Sequence, residues 1–330
     1  MTNRLSFPLP TEDDIRELTE FRRELHRNPE LSGEERETAS RVVEMLAPTK
    51  PDKVLTGLGG HGVAAIYDSG APGPTILFRS ELDALPIQEL GKIEHRSTVP
   101  GKAHLCGHDG HSTILLGLGR ILSRTRPTSG REILMFQPAE ENGAGASAVV
   151  ADPPYPEIKP DWAFSLHNAP EIEFGSAQLG VGPANCASRG IRIRLTGSTA
   201  HASRPEDGRS PMLAVSELMP ALQACGRGKP LGPGFTMVTV THASMGAEAF
   251  GVAPGEAKIM ATLRTVYDDD MANLVARVEG LVSDAAERHG LSCAWEYDDV
   301  FAASINEEKA AAILATGMKR AGTEWRDQKV

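Results

Sequence analysis

The chain has 330 residues, enough for two domains at ~100–200 residues each. Its 40% apolar and 24% charged residues exclude wholesale disorder, and the net charge of -10 with no Lys/Arg cluster argues against a nucleic-acid partner. The N-terminal residues lack an apolar core for a secretory signal. No run of ~18 apolar residues exists to span a membrane. Cys106, Cys186, Cys225 and Cys293 are widely separated, which fits a reducing, cytoplasmic setting better than a disulfide scaffold.

In chain order, Ile15, Leu18 and Leu25 predict a helix over about 11–27. Ser32 and Glu35 read as a capping box for a second helix with Val42, Val43 and Leu46 on its apolar side. Short apolar runs at 63–67 and 75–78 predict buried strands. A helix over 112–122 follows, then strands at 133–136 and 162–166. This alternation predicts an α/β layer with a mostly parallel sheet and flanking helices. From Ala187 the pattern changes, because Ile191, Ile193 and Leu195 alternate with polar residues. A helix from Ser210, strands at 235–241 and 258–265, a helix capped by Asp268, and a strand at 291–297 give the order β-α-β-β-α-β. That is the split βαβ unit of a ferredoxin-like domain. The expected domains are 1–186 with 301–330, and an inserted unit over 187–300. A last amphipathic helix is expected at about 307–321.

Ligand-type side chains follow several of these strands. Cys106-Gly107-His108-Asp109-Gly110-His111 precedes a helix, where a thiol loses its proton more readily and becomes a metal donor. Gln137-Pro138-Ala139-Glu140-Glu141 follows a buried strand. Adjacent glutamates point different ways, so one can ligate a cation while the other moves protons. Leu166-His167-Asn168 and Arg79-Ser80-Glu81-Leu82-Asp83 also sit at strand ends, and His201 lies in a loop of the inserted unit. Each segment alone reads equally as a solvated loop, a buried cysteine or a polar cap. Their coincidence at strand ends, where open α/β sheets bind ligands, points to one site. His61, His95, His242 and His289 have no ligand-type neighbours in sequence.

Together these segments resemble the metal-dependent aminoacylase family that includes hippurate hydrolases and indole-3-acetyl-amino-acid hydrolases. The motifs are Arg23 to Leu31, Asp83 to Glu89, His104 to His111, Gln137 to Glu141, Gly197 to Pro205, and Pro254 to Thr265. The resemblance implies a catalytic α/β domain and a small lid used in homodimer contacts. It implies two divalent ions, manganese, zinc or cobalt, held by Cys106, His108, Glu141 and His167. By position, Glu140 becomes the general base, Asp83 an acid beside the metal ligands, and His201 the lid residue that steadies the oxyanion. His26 and His104 fall in its motifs as supporting residues. The implied substrate is an N-acyl amino acid, with a dipeptidase or carboxypeptidase-like amide hydrolase as the alternative on the same scaffold. Three departures stand out. The family's C-terminal segment with a further His ligand is absent, so the chain reads as truncated, and an impaired homologue keeping partial metal binding is a second alternative. Glu81 stands where the family has Asp, and Gly251 where relatives often have Asn. A plain α/β scaffold with structural His and Glu clusters is the remaining alternative.

Overall fold

The computed structural model describes residues 9–228 and 230–327. They divide into two compact units. The first ends at Ala177 and takes in Ala312–Trp325; the second is centred on Gln178–Ala311.

In the first unit, α1 (Glu12–Arg27) starts with a true capping box. Asp14 N–H donates to Thr11 Oγ1 at 3.2 Å, and Thr11 N–H donates to Asp14 Oδ2 at 2.7 Å. The second expected box does not form. Glu35 occupies the N-cap of α2 (Arg36–Leu46) without a side-chain cap bond, and Ser32 donates to Asp83 Oδ2 instead, at 2.7 Å. The Ser32 and Glu35 side chains are drawn away from their own helix because buried groups elsewhere compete for them more strongly.

The strands β1 (Lys53–Leu58), β2 (Gly62–Asp68), β3 (Thr75–Glu81), β4 (Arg131–Gln137) and β5 (Trp162–Ser165) form one sheet in the order β1-β2-β4-β3-β5. Pairs β3–β4 and β3–β5 are parallel, whereas β1–β2 and β2–β4 are antiparallel. The sheet is therefore mixed, not mostly parallel. The short Gly59-Gly60-His61 connection explains this, since a parallel neighbour would need a crossover of a dozen residues or more.

Helix α3 (His108–Arg124) packs on α1 and α2, and their apolar sides meet the sheet through Leu18, Phe21, Leu25, Val42, Leu46, Leu116, Leu134 and Phe136. It begins four residues earlier than the periodicity predicts, so the His108-Asp109-Gly110-His111 run forms its first turn. A smaller core around Ile133, Met135, Val149 and Ile158 lies under the short α4 (Gly145–Ala151).

The short strand β6 (Ala177–Leu179) straddles the boundary, and β7 (Gly182–Asn185) follows in the second unit. It continues as β8 (Ala187–Thr196), β9 (Ala200–His201), α5 (Met212–Gln223), β10 (Thr236–Met245), β11 (Val252–Ala253), β12 (Glu256–Thr265), α6 (Asp268–Arg288), β13 (Ser292–Phe301) and β14 (Ser304–Asn306). Strands β10-β12-β8-β13 form an antiparallel sheet. Ile191, Ile193 and Leu195 bury themselves against Leu218, Leu222, Met271, Leu274, Val278 and Val282 of the two helices. The alternation along β8 is thus the signature of a sheet with one covered face. Strands β9 and β11 pair to hold His201 opposite Val252. Helix α7 (Glu308–Ala321) and β15 (Trp325–Asp327) end the described residues. Among those residues, no helix is long and apolar enough to cross a membrane.

Candidate metal centre

The three strands β4, β3 and β5 are adjacent and parallel, so their carboxyl ends open on the same edge. Glu81 ends β3 and Asp83 lies two residues beyond it, Glu140 and Glu141 follow β4, and His167 follows β5. The amino end of α3 brings Cys106, His108 and His111. Gly107 starts the helix with φ 100, a left-handed conformation that disfavours residues carrying a Cβ. A Cβ there would also meet Asn168 Oδ1 at 2.5 Å.

Donor atoms converge in three overlapping groups, Cys106–His108–His167, His108–Glu140–Glu141 and Glu81–His108–His111, with the atoms of each group within 4.8 Å of one another. Cys106 Sγ lies 3.3 Å from His167 Nε2. His108 Nε2 lies 3.7 Å from Glu141 Oε1 and 3.9 Å from Glu140 Oε2. Both ring tautomers are set by backbone carbonyls, which can only accept. His108 Nδ1–H donates to Asp83 O and His167 Nδ1–H to Asn168 O, each at 2.8 Å. That leaves both Nε2 lone pairs for a cation. His108 Nε2 and Glu141 Oε1 are buried without hydrogen-bond partners. Two orphaned donors facing each other beside a thiol and a second imidazole fit a divalent cation, since buried polar atoms otherwise find partners.

The charges agree. Burial disfavours the His108 cation, yet the Asp83 carboxylate and the Cys106 sulfur outweigh it and push the pKa up to about 11. Cys106 raises His167 to about 9 against the effect of burial. In return, His108 and His167 draw the Cys106 thiol down. The pocket holds more negative charge than it can bear alone, and the imidazoles neutralise it with protons where a cation would serve. Glu140 differs from its neighbour. It is half-buried, and burial pushes its carboxyl up toward neutrality, although His108 and Arg79 pull the other way.

Asp83 is fully buried. Its Oδ2 accepts from Ser32 Oγ at 2.7 Å and from Glu141 N–H at 2.9 Å, while Oδ1 lies 3.4 Å from His108 Nδ1. It therefore braces two of the expected ligands. His201 lies in the second unit, exposed, and accepts from Ser203 N–H at Nδ1, 3.2 Å, which leaves Nε2–H free to donate. His26 Nδ1–H donates to Asp109 Oδ2 at 2.8 Å, and Arg22 Nε meets the same oxygen at 2.8 Å. His104 is buried with both ring nitrogens unpartnered, and burial holds its pKa down at about 4.

The sequence reading did not assign His111, Asn168 or Glu35 to the site. His111 Nδ1 meets Glu81 Oε2 at 2.9 Å and its Nε2 meets Asn168 Oδ1 at 2.7 Å. The signal was available for His111, three positions after His108 and so on the same helix face. Asn168 and Glu35 act through long-range contacts that no spacing reveals.

An α/β sheet whose strand ends gather sulfur, imidazole and carboxylate donors defines a candidate metallohydrolase. The chain belongs to peptidase family M20/M25/M40, whose family model matches residues 77–329. It is 34% identical to N-acetyl-L-cysteine deacetylase of Bacillus subtilis (strain 168) over 265 residues, 79% of this chain and 62% of that protein. It is 32% identical to IAA-amino acid hydrolase ILR1-like 4 of Arabidopsis thaliana over 271 residues, 81% of this chain and 60% of that one. The chain thus spans less than two thirds of the length of both relatives. In fold it is similar to a Bacillus subtilis structure described as a dinuclear metal binding peptidase from the M20 family. That match has a TM-score of 0.78 at 24% identity, and covers 96% of this chain and 83% of that one.

Proposed function

We propose that the protein is a metal-dependent amidohydrolase that cleaves the amide bond of N-acyl amino acids. The observation that carries this reading is the pair of orphaned donors, His108 Nε2 and Glu141 Oε1, facing each other between Cys106 and Glu140. The names of its relatives, a deacetylase of N-acetyl-cysteine and a hydrolase of amino-acid conjugates, support the substrate class.

Cys106, His108, Glu141 and His167 would hold the cations, and this mixed sulfur, nitrogen and oxygen set suits manganese, zinc or cobalt. A pair of such ions supplies Lewis acidity that makes water nucleophilic at neutral pH. Glu140, raised by burial, accepts a proton from the attacking water as its oxygen bonds to the acyl carbon. The same carboxyl then gives that proton to the departing nitrogen as the C–N bond breaks. By the resemblance, His201 would be the residue that steadies the acyl oxygen, with its Nε2–H as the donor. Asp83 keeps His108 in the tautomer that leaves Nε2 free. The free cysteines fit a cytoplasmic setting, and the inserted unit would serve as the lid and homodimer surface.

The test is hydrolysis of N-acetyl and N-benzoyl amino acids by protein loaded with each of the three metals. Activity abolished by chelation and by Glu140→Gln, with metal content of that variant unchanged, is the expected result. Turnover indifferent to chelation, or no metal bound to the purified chain, sinks the proposal.

A further inference from the structure

Glu35 is completely buried, yet it neither caps its own helix nor pairs with a basic side chain in the described contacts. Its Oε1 accepts from Ala139 N–H at 2.7 Å, across 104 residues of sequence, and its Oε2 is buried without a partner. Ala139 has φ 47, a left-handed backbone that a residue with a Cβ adopts at a penalty. Something must hold it there. On the far side of Glu140, the Glu141 N–H donates to Asp83 Oδ2, and Ser32 Oγ donates to that same oxygen. Ser32 and Glu35, three residues apart in one turn, therefore act on the backbone immediately before and immediately after Glu140, Ser32 through Asp83.

We propose that the Ser32–Glu35 turn is a clamp on the strained Ala139-Glu140-Glu141 turn, with Glu35 a positioning residue that fixes where the Glu140 and Glu141 carboxylates point. The physical logic is that of a supporting shell. A carboxylate aimed at a cation or a reacting proton needs its main chain fixed within a fraction of an ångström, and outer hydrogen bonds supply that precision. The left-handed Ala139 turns the chain after β4 into the segment from which Glu140 and Glu141 both reach His108 Nε2, at 3.9 and 3.7 Å, and the Glu35 bond holds that conformation against relaxation. The value of the clamp for catalysis rests on the reading of Glu140 as the base, but its mechanical role does not.

The experiment is residue-resolved amide hydrogen exchange on the metal-free chain, comparing wild type, Glu35→Ala and Glu35→Gln. Glu35→Gln keeps an accepting oxygen. The expected result is at least tenfold faster exchange at Ala139 in Glu35→Ala, a smaller increase at Glu141, and unchanged exchange at Ile133 to Phe136. Glu35→Gln should stay within threefold of wild type. Adding Ala139→Gly to Glu35→Ala should not slow exchange of the amide at position 139, but it should recover metal affinity, because glycine adopts the turn without strain. Should Glu35→Ala fail to fold, Glu35→Asp keeps the charge and shortens the reach, and serves the same comparison. Equal exchange at Ala139 in wild type and Glu35→Ala overturns the proposal. So does a uniform rise along the whole of β4, which marks a merely structural role. Manganese titration by calorimetry then separates the two readings. A 10–100-fold weaker affinity in Glu35→Ala is the expected result. A local exchange change in a chain whose wild type binds no manganese keeps the clamp and defeats the hydrolase reading.

Discussion

Gly107→Ala is the sharpest small perturbation of the centre. Gly107 holds φ 100, and placing alanine in left-handed backbone costs about 1–2 kcal/mol. The new methyl would lie 2.5 Å from Asn168 Oδ1, closer than real Cβ contacts come, and a tight 3.0 Å from its Cγ. Asn168 is exposed, so its amide can swing aside, but it then loses the 2.7 Å hydrogen bond to His111, another ~1 kcal/mol. The expected loss is about 2–3 kcal/mol of unfolding free energy, read by urea titration of the metal-free chain. Gly110→Ala is the matched control. It lies one turn further along α3, a Cβ there meets nothing within 4 Å, and helix propensity favours alanine by up to ~1 kcal/mol. Gly107→Ala should also weaken cation binding, because Asn168 bears the carbonyl that orients His167. Equal stability for the two alanine variants, or a Gly107→Ala chain that binds manganese as wild type does, would refute the argument from backbone geometry.

Other consequences follow from the same contacts. Glu140→Gln should lower amide turnover by ~10²–10⁴-fold, the range for loss of a positioned proton carrier, with metal content by plasma mass spectrometry unchanged. Glu141→Ala should instead lose the metal. Because His108 and His167 hold protons up to about 11 and about 9 in the metal-free site, cation binding near pH 7.5 must displace about two protons. Calorimetry in buffers of different ionisation enthalpy should count them, and affinity should climb as pH rises toward 9; proton-free binding contradicts the charge assignment. His26 gives a separate pH test. Its hydrogen bond to Asp109 raises its pKa despite burial, so the stability it adds is complete below the ordinary value of 6.5 and fades as pH rises through the raised folded value. The stability gap between wild type and His26→Gln, about 1.5–3 kcal/mol at pH 6 for a buried bond to a charged partner, should shrink by pH 9.

What the sequence made legible divides along the range of the interactions. The helices at 12–27 and 308–321, the strands around Val63 and Ile133, and the β-α-β-β-α-β run from Ala187 follow from local periodicity, and the structure has them within a few residues. The Ser32–Glu35 turn fails as a helix cap because its partners, Asp83 and Ala139, arrive from 51 and 104 residues away. A capping pattern competes only with local alternatives when read in sequence, and with every buried donor when folded. The start of α3 shifts for a related reason. His108, Asp109 and His111 carry no apolar signal, and each is held in the first turn by a polar contact with a distant segment.

The departure from a mostly parallel sheet falls on strands that carry none of the donors. The antiparallel pairings confine β1 and β2 to one side of the sheet, and neither contributes a donor to the three groups. The parallel trio β4-β3-β5 is the part that matters, since parallel neighbours present their carboxyl ends side by side. Glu81, Asp83, Glu140, Glu141 and His167 sit within a few residues of those ends. A ligand site needs only this local parallelism, and the three donor groups gather along it even though the whole sheet is mixed. The same geometry accounts for Glu81. At the end of β3, its longer stem reaches His111 at 2.9 Å while Arg79 grips its other oxygen at 2.6 Å. Shortening it in Glu81→Asp should break one of these two bonds. Since His111 connects through Asn168 to His167, weaker cation binding by that variant would show that this chain has fitted its donor set to the longer side chain.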